Sequence, residues 1–299
     1  MNKQMKVNNN TILDVANLNI KFGGIIALKD INFQVPRSSV TALIGPNGAG
    51  KTTVFNCLTG FYQGGPGSKL TLSTKDKSHN LVEMLGEGFK VKDFFSPRSL
   101  AIRIYYKMFG GTHLVSRAGL ARTFQNNRLF KEMTVVENLL VAQHMFIERG
   151  LIKGVLKSKS YVASQERALA KAYDWLKFFN LDKRANAIAG ELPYGEQKRL
   201  EIARAMCTAP DLLCLDEPAA GLNPAESEEL SQIIIKLRDD HGVTVLVIEH
   251  DMHLVMRIAD HIVVLNYGEV LFDGTPAEVR NNSKVVDAYL GKDKADITL

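Results

Sequence analysis

Residues 45–52 read Gly-Pro-Asn-Gly-Ala-Gly-Lys-Thr, directly after Val-Thr-Ala-Leu-Ile and running into the helix-forming stretch 51–60. A short unbroken apolar run of this kind is a strand buried on both faces, the habit of a parallel sheet. A turn of pattern GxxxxGK[ST] between such a strand and a helix lets backbone N–H groups point inward around phosphate oxygens without side-chain clash. The helix start adds partial positive charge. Lys51 can reach β- and γ-phosphates as a point charge, and the Thr52 hydroxyl can ligate Mg²⁺. The feature predicts an α/β fold whose phosphate-bearing ligand sits where a strand meets a helix.

The rest of the chain fits that class. Apolar runs alternate with amphipathic helical patterns, which implies a largely parallel sheet. Strands are predicted at 12–22, 40–44, 211–216, 243–248 and 261–265, with a hairpin-like Val-Leu-Phe-Asp-Gly after the last. Thr134-Val-Val-Glu137 and Thr275-Pro-Ala-Glu278 are capping boxes, and Asn223-Pro224 is an N-cap followed by proline, in front of a helix ending near Gly242. A longer amphipathic helix is predicted over 160–180, with Leu169, Tyr173, Leu176 and Phe179 on one stripe. The apolar content of 45% excludes a disordered chain. No apolar run approaches the ~18 residues of a membrane-spanning helix, and the polar start Met-Asn-Lys-Gln-Met-Lys is not expected to be a secretory signal. Cys57, Cys207 and Cys214 lack metal-site spacing and fit a reducing compartment.

Leu212-Leu-Cys-Leu-Asp216-Glu217 is an apolar strand ending in two carboxylates. In a parallel α/β sheet ligands gather at the carboxyl ends of strands. Asp216 can there hold Mg²⁺, and Glu217, one residue on, can polarise an attacking water. A carboxylate aimed at water favours hydrolysis over phosphoryl transfer to another substrate.

Taken together, these residues resemble the ATP-binding cassette family across most of the chain outside 61–118. The resemblance implies a P-loop NTPase nucleotide-binding domain: a RecA-like parallel-sheet core, an antiparallel β subdomain and an inserted α-helical subdomain. One domain is expected over 11–275, with its helical subdomain at about 126–200 and a C-terminal helix and tail over 276–299. Phe22 falls where the family places an aromatic that stacks on adenine. Gly45, Pro46, Asn47, Gly48, Ala49, Gly50, Lys51, Thr52 and Thr53 would hold the phosphates. Gln125, in Arg122-Thr-Phe-Gln125, matches the glutamine that links Mg²⁺ and the nucleophilic water to the membrane partner, so Thr52, Gln125 and Asp216 form the implied metal set. Glu217, His250 and Gln125 form the implied catalytic set, with His250 as the switch histidine that contacts γ-phosphate. Leu192, Tyr194, Gly195, Glu196 and Gln197 match the signature region, which completes the ATP site of a second subunit. Asn223 lies on the loop that crosses to that subunit.

One residue departs from the pattern. The family's signature usually has serine after the leucine, but here stands Pro193, followed by Tyr194. Proline offers neither a hydroxyl nor an N–H, and a lost hydrogen bond to a charged group is worth ~1.5–3 kcal/mol. The site completed by this signature is therefore expected to be weakened, unless the partner's own chemistry compensates.

A finer resemblance concerns the substrate. The stretches RTFQNNRLFKEMTVVENLLVAQH, LPYGEQKRLEIARAM, DEPAAGLNPAE and IEHDMHLVM look like the ATP-binding subunit of bacterial high-affinity branched-chain amino acid importers. Importers of urea or short amides look similar, and a non-transport single-cassette ATPase is the other alternative. The importer resemblance implies ATP and Mg²⁺, a second and different ATPase subunit, two permease subunits and an extracytoplasmic solute-binding protein. It implies no nucleic acid, and it places the chain peripherally on the cytoplasmic face of the inner membrane. Leu129, Phe130 and Met133 are candidate permease contacts.

Charge singles out one segment. Residues 61–118 carry nine basic and four acidic side chains, a difference equal to the whole chain's net +5. The basicity that would otherwise suggest a nucleic-acid partner thus lies in an atypical insertion. A basic amphipathic stretch at 99–109 could touch lipid headgroups or a permease, and a solvated elaboration is the alternative.

Overall fold

The computed structural model describes residues 10–74, 77–85, 111–125, 128–144, 146 and 158–290. The amphipathic stretch at 99–109 lies outside them. Two sheets organise the described chain. The first is antiparallel, in the order β2-β1-β4-β5, built from β1 (Thr11–Phe22), β2 (Ile25–Pro36), β4 (Lys69–Ser73) and β5 (Ser78–Asn80). The second has the order β10-β9-β3-β8-β7-β6, from β3 (Val40–Ile44), β6 (Leu120–Arg122), β7 (Leu212–Asp216), β8 (Thr244–Ile248), β9 (His261–Asn266) and β10 (Glu269–Gly274). Its strands run parallel except β10, which returns antiparallel to β9.

β3, β7 and β8 are buried at every residue, as their unbroken apolar runs require. Successive side chains point to opposite faces of a strand, and the core divides accordingly. Val40, Ala42, Ile44, Leu213, Leu215, Val245 and Val247 face one apolar cluster, and Leu43, Leu212, Cys214, Leu246 and Ile248 face another. The first cluster takes in α4 (Val135–Ala142), α5 (Lys159–Phe178), α6 (Tyr194–Met206), α7 (Pro224–His241) and α8 (Met252–Ile258). Val279 of α9 (Pro276–Arg280) and Val285 of α10 (Ser283–Leu290) join that cluster too. The second cluster holds β1, β2, β4 and α1 (Lys51–Leu58).

The helix signals appear where the sequence puts them. Thr134 and Glu137, Asn223 and Glu226, and Thr275 and Glu278 each form a reciprocal capping box, and α7 ends on Gly242 at φ 63°. Two apolar expectations are corrected. Leu169 is 42% exposed, because α5 buries Ser164, Ala168, Ala172 and Leu176 instead. Three of these four, Ser164, Ala168 and Ala172, are small, and Leu169 lies off their buried stripe. Leu129 is buried in the core, whereas Phe130 is exposed.

Within 61–118 the described residues hold β4, β5, α2 (Leu81–Met84) and α3 (Thr112–Arg117). β4 pairs with β1, so the start of this segment completes the antiparallel sheet. Cys57, Cys207 and Cys214 are buried, and burial pushes each thiol up to about 12. No described helix is long and apolar enough to cross a membrane.

Candidate functional site

The site lies along the carboxyl ends of β3, β7 and β8 and the loop that follows β6. β3 delivers the chain into Gly45, where φ is 151° and a Cβ would sit 2.2 Å from the Leu265 carbonyl oxygen. Gly50 caps α1 at φ 103°, a backbone conformation that an L side chain rarely adopts. Between them Ala49 is buried and Pro46 half-buried, while Asn47 and Gly48 are exposed. Lys51 opens α1 and its Nζ donates to the carbonyls of Gly45 at 2.6 Å and Pro46 at 3.1 Å. Burial holds the ammonium below the ordinary lysine range, and the charge of Glu217 opposes that shift. Thr52 is exposed and Thr53 half-buried on the same first turn.

Asp216 ends β7 and is buried with Arg122, whose Nη2 donates to its Oδ2 at 2.6 Å. Glu217 follows in the left-handed region at φ 47°. A non-glycine residue held there stores strain that neighbouring structure must offset. Its N–H donates to the Ile248 carbonyl at 3.0 Å, and its Oε2 accepts from Gln125 Nε2 at 2.7 Å. Gln125, three residues beyond the end of β6, is itself held, since Lys198 Nζ donates to its carbonyl at 2.9 Å. His250 follows β8 with a side chain that is 60% exposed. Lys51, Asp216, Glu217, Gln125 and His250 thus share one sheet edge.

Two residues of this network carried no role in the sequence reading. Arg122 ties Asp216 to α1 by donating Nη1 to Asn56 Oδ1 at 2.7 Å and Thr59 Oγ1 at 2.9 Å. Glu249 is fully buried and accepts from Ala219 N at 2.9 Å and His250 N at 3.2 Å. Burial raises its carboxyl above the ordinary range, with those two N–H groups acting against the shift. Glu249 therefore joins the loop after Glu217 to the backbone of His250. Its signal was visible: a carboxylate closing an apolar strand, immediately before the histidine.

The signature residues lie apart. Leu192 is buried and accepts from Gln197 Nε2 at 2.8 Å through its carbonyl. Pro193 caps α6, Tyr194 is exposed and Gly195 is buried. Tyr194 lies over Gly221, where a Cβ would meet its Cε1 at 3.1 Å, and a Cβ at Gly195 would meet Glu226 Oε1 at 2.6 Å. Glu196 faces Arg184 at 3.7 Å. Phe22 stands at the end of β1 and is 46% exposed. Among the described residues no hydrogen bond joins Phe22, or residues 192–197, to Lys51, Asp216 or Glu217.

The donor set suits Mg²⁺. That ion prefers oxygen ligands and needs only one or two from a protein alongside substrate phosphates. Asp216 keeps one carboxylate oxygen beyond its contact with Arg122, Gln125 keeps its amide oxygen, and the Thr52 hydroxyl is exposed. No cluster of three or more His, Cys, Asp or Glu side chains that could cage a metal occurs among the described residues.

Comparison with known proteins agrees with this geometry. The family model described as ABC transporter matches residues 28–220. A second, described as branched-chain amino acid ATP-binding cassette transporter, matches residues 269–295. The high-affinity branched-chain amino acid transport ATP-binding protein BraF of Pseudomonas aeruginosa is 48% identical over 281 residues, covering 94% of this chain and 98% of that protein. Its counterpart LivG of Escherichia coli is 46% identical with the same coverage. Among solved structures, the ADP conformation of MJ1267, an ATP-binding cassette of an ABC transporter, matches with TM-score 0.72 and 28% identity, covering 94% of this chain and 99% of that one. With a phosphate loop, two strand-end carboxylates and a histidine on one sheet edge, and with these matches end to end, the chain belongs to the ABC transporter family as one of its ATP-hydrolysing cassettes.

Proposed function

We propose that this chain powers the import of branched-chain amino acids, as one ATPase subunit of a membrane complex. The observation that carries the substrate class is the match to branched-chain relatives over 94% of the chain, together with the separate match of residues 269–295. The complex comprises a second, different cassette subunit, two permeases and an extracytoplasmic solute-binding protein. The chain sits peripherally on the cytoplasmic face of the membrane, as a cassette over 11–275 whose helical part, about 126–200, faces the permeases. Exposed Phe130 and half-buried Met133 are the contacts there.

In the proposed mechanism the backbone of residues 45–50 and Lys51 bind the β- and γ-phosphates, and Phe22 stacks on the adenine. Thr52, Asp216 and Gln125 would hold Mg²⁺, which would supply neutralisation of phosphate charge. Glu217 accepts the proton of the attacking water at its free carboxylate oxygen, while Gln125 fixes the other. His250 contacts the γ-phosphate, its backbone held by Glu249. Leu192, Tyr194, Gly195, Glu196 and Gln197 close over the nucleotide of the partner cassette. Binding of ATP by both subunits favours the closed pair and hydrolysis the open one, which biases the permeases between two conformations. Pro193 removes one donor from the partner's site.

The test is purification of the whole complex and its assay in liposomes with the solute-binding protein. Leucine, isoleucine or valine should stimulate ATP hydrolysis. Stimulation by urea or a short amide instead would overturn the substrate class, and tight, steeply salt-dependent nucleic-acid binding would overturn the transport reading.

A further inference from the structure

Phe22 closes β1 and pairs with Ile25 across the turn Gly23-Gly24. A Cβ at either glycine would have nothing within 4 Å, so the tip of this hairpin stands in open space. The ring of Phe22 instead meets Tyr62, with centroids 5.1 Å apart and planes at 69°. That is the edge-to-face arrangement in which the positive rim of one ring meets the negative face of another. Tyr62 is 39% exposed, but its backbone is fixed. The N–H groups of Phe61 and Tyr62 both donate to the Asn56 carbonyl, at 2.8 and 3.0 Å. The Asn56 side chain in turn accepts from Arg122. Asn56 belongs to α1, whose first residue is Lys51. One helix, about 12 Å long at 1.5 Å per residue, therefore has the phosphate-binding lysine at one end and the turn that carries Tyr62 at the other.

We propose that Tyr62 is a positioning residue for base recognition: its ring braces Phe22 edge-to-face, so that the exposed part of Phe22 is presented to the adenine of ATP. The inference rests on the reading of Phe22 as the base-stacking residue. An unbraced ring on a hairpin tip loses side-chain freedom only when the base arrives, whereas a braced one has lost it already. The contact also couples the two ends of the site, because any movement of α1 that shifts Lys51 carries Tyr62 with it.

The experiment is calorimetric binding of ATP and of tripolyphosphate, each with Mg²⁺, to the full chain. Tyr62→Ala is expected to weaken ATP binding roughly two- to tenfold, the range of an aromatic pair, and to leave tripolyphosphate binding unchanged. Tyr62→Phe keeps the ring edge and should bind ATP within twofold of the parent. Equal losses for ATP and tripolyphosphate, or none for either, would overturn the proposal. Tyr62→Leu keeps bulk without a ring and answers the same question if the alanine variant does not fold. Phe22→Ala separates the two layers of inference. If it leaves ATP affinity untouched, the base-stacking reading itself fails. If it weakens ATP alone while Tyr62→Ala does nothing, only the brace is wrong.

Discussion

The sheet-edge centre and the signature region differ in how they are held. At the sheet edge the chemistry-bearing side chains hold one another: Arg122 pairs with Asp216, Gln125 with Glu217, and Glu249 with the backbone of His250. At the signature steric fit stands beside local polar contacts such as Gln197 to the Leu192 carbonyl. Tyr194 lies on Gly221 and Gly195 against Glu226, and the charged pair Arg199–Glu229 opens partly to water. Arg122–Asp216 and Glu249 are buried, while Gln125–Glu217 is open to water. Buried polar contacts in low dielectric are costly to leave half-made, so that buried part of the first region should tolerate little. A contact made by shape at the surface should tolerate more.

The largest effect is expected from Glu217→Gln. It keeps the side chain's shape but removes the proposed base, so steady-state phosphate release should fall about 10²–10⁴-fold. ATP binding should persist, with the cassette pair trapped closed. Turnover at half the parental rate would break the assignment of hydrolysis to the sheet edge. Arg122→Gln leaves the buried Asp216 without its cation and should destabilise the chain by about 3–5 kcal/mol, read from denaturant unfolding. Lys51→Ala removes a charged donor worth ~1.5–3 kcal/mol, which corresponds to roughly a 10- to 100-fold loss of ATP affinity. At the signature, Arg199→Gln should cost about 1 kcal/mol or less, because its partner Glu229 is 39% exposed. Equal unfolding costs for Arg122→Gln and Arg199→Gln would erase the contrast between the regions.

What the sequence revealed follows from range. Capping boxes span three residues, and the phosphate loop is one continuous turn between a strand and a helix, so local chemistry dictates both. β2 was harder to see. Its buried residues Leu28, Ile31, Phe33 and Val35 lose their period of two at Asp30, which sits at φ 49°. A one-residue irregularity of that kind moves every later side chain to the other face of the alternation. The pairing of Arg122 with Asp216 was hidden for another reason. It depends on β6 lying beside β7, and nothing local announces that strand order. Tyr194 was read as a residue facing another subunit, while its ring also packs on Gly221 of its own chain. Only the fold brings those two loops together.

The three buried cysteines have a practical consequence. A thiol reagent attacks the thiolate, and with thiols raised to about 12 and sealed in the core, these sulfurs are nearly silent in the folded chain. A single cysteine introduced on the surface could carry a spectroscopic label without removal of the native three. Conversely, the rate at which a reagent reaches Cys57, Cys207 and Cys214 becomes a clock for opening of the core, readable by mass on the intact protein.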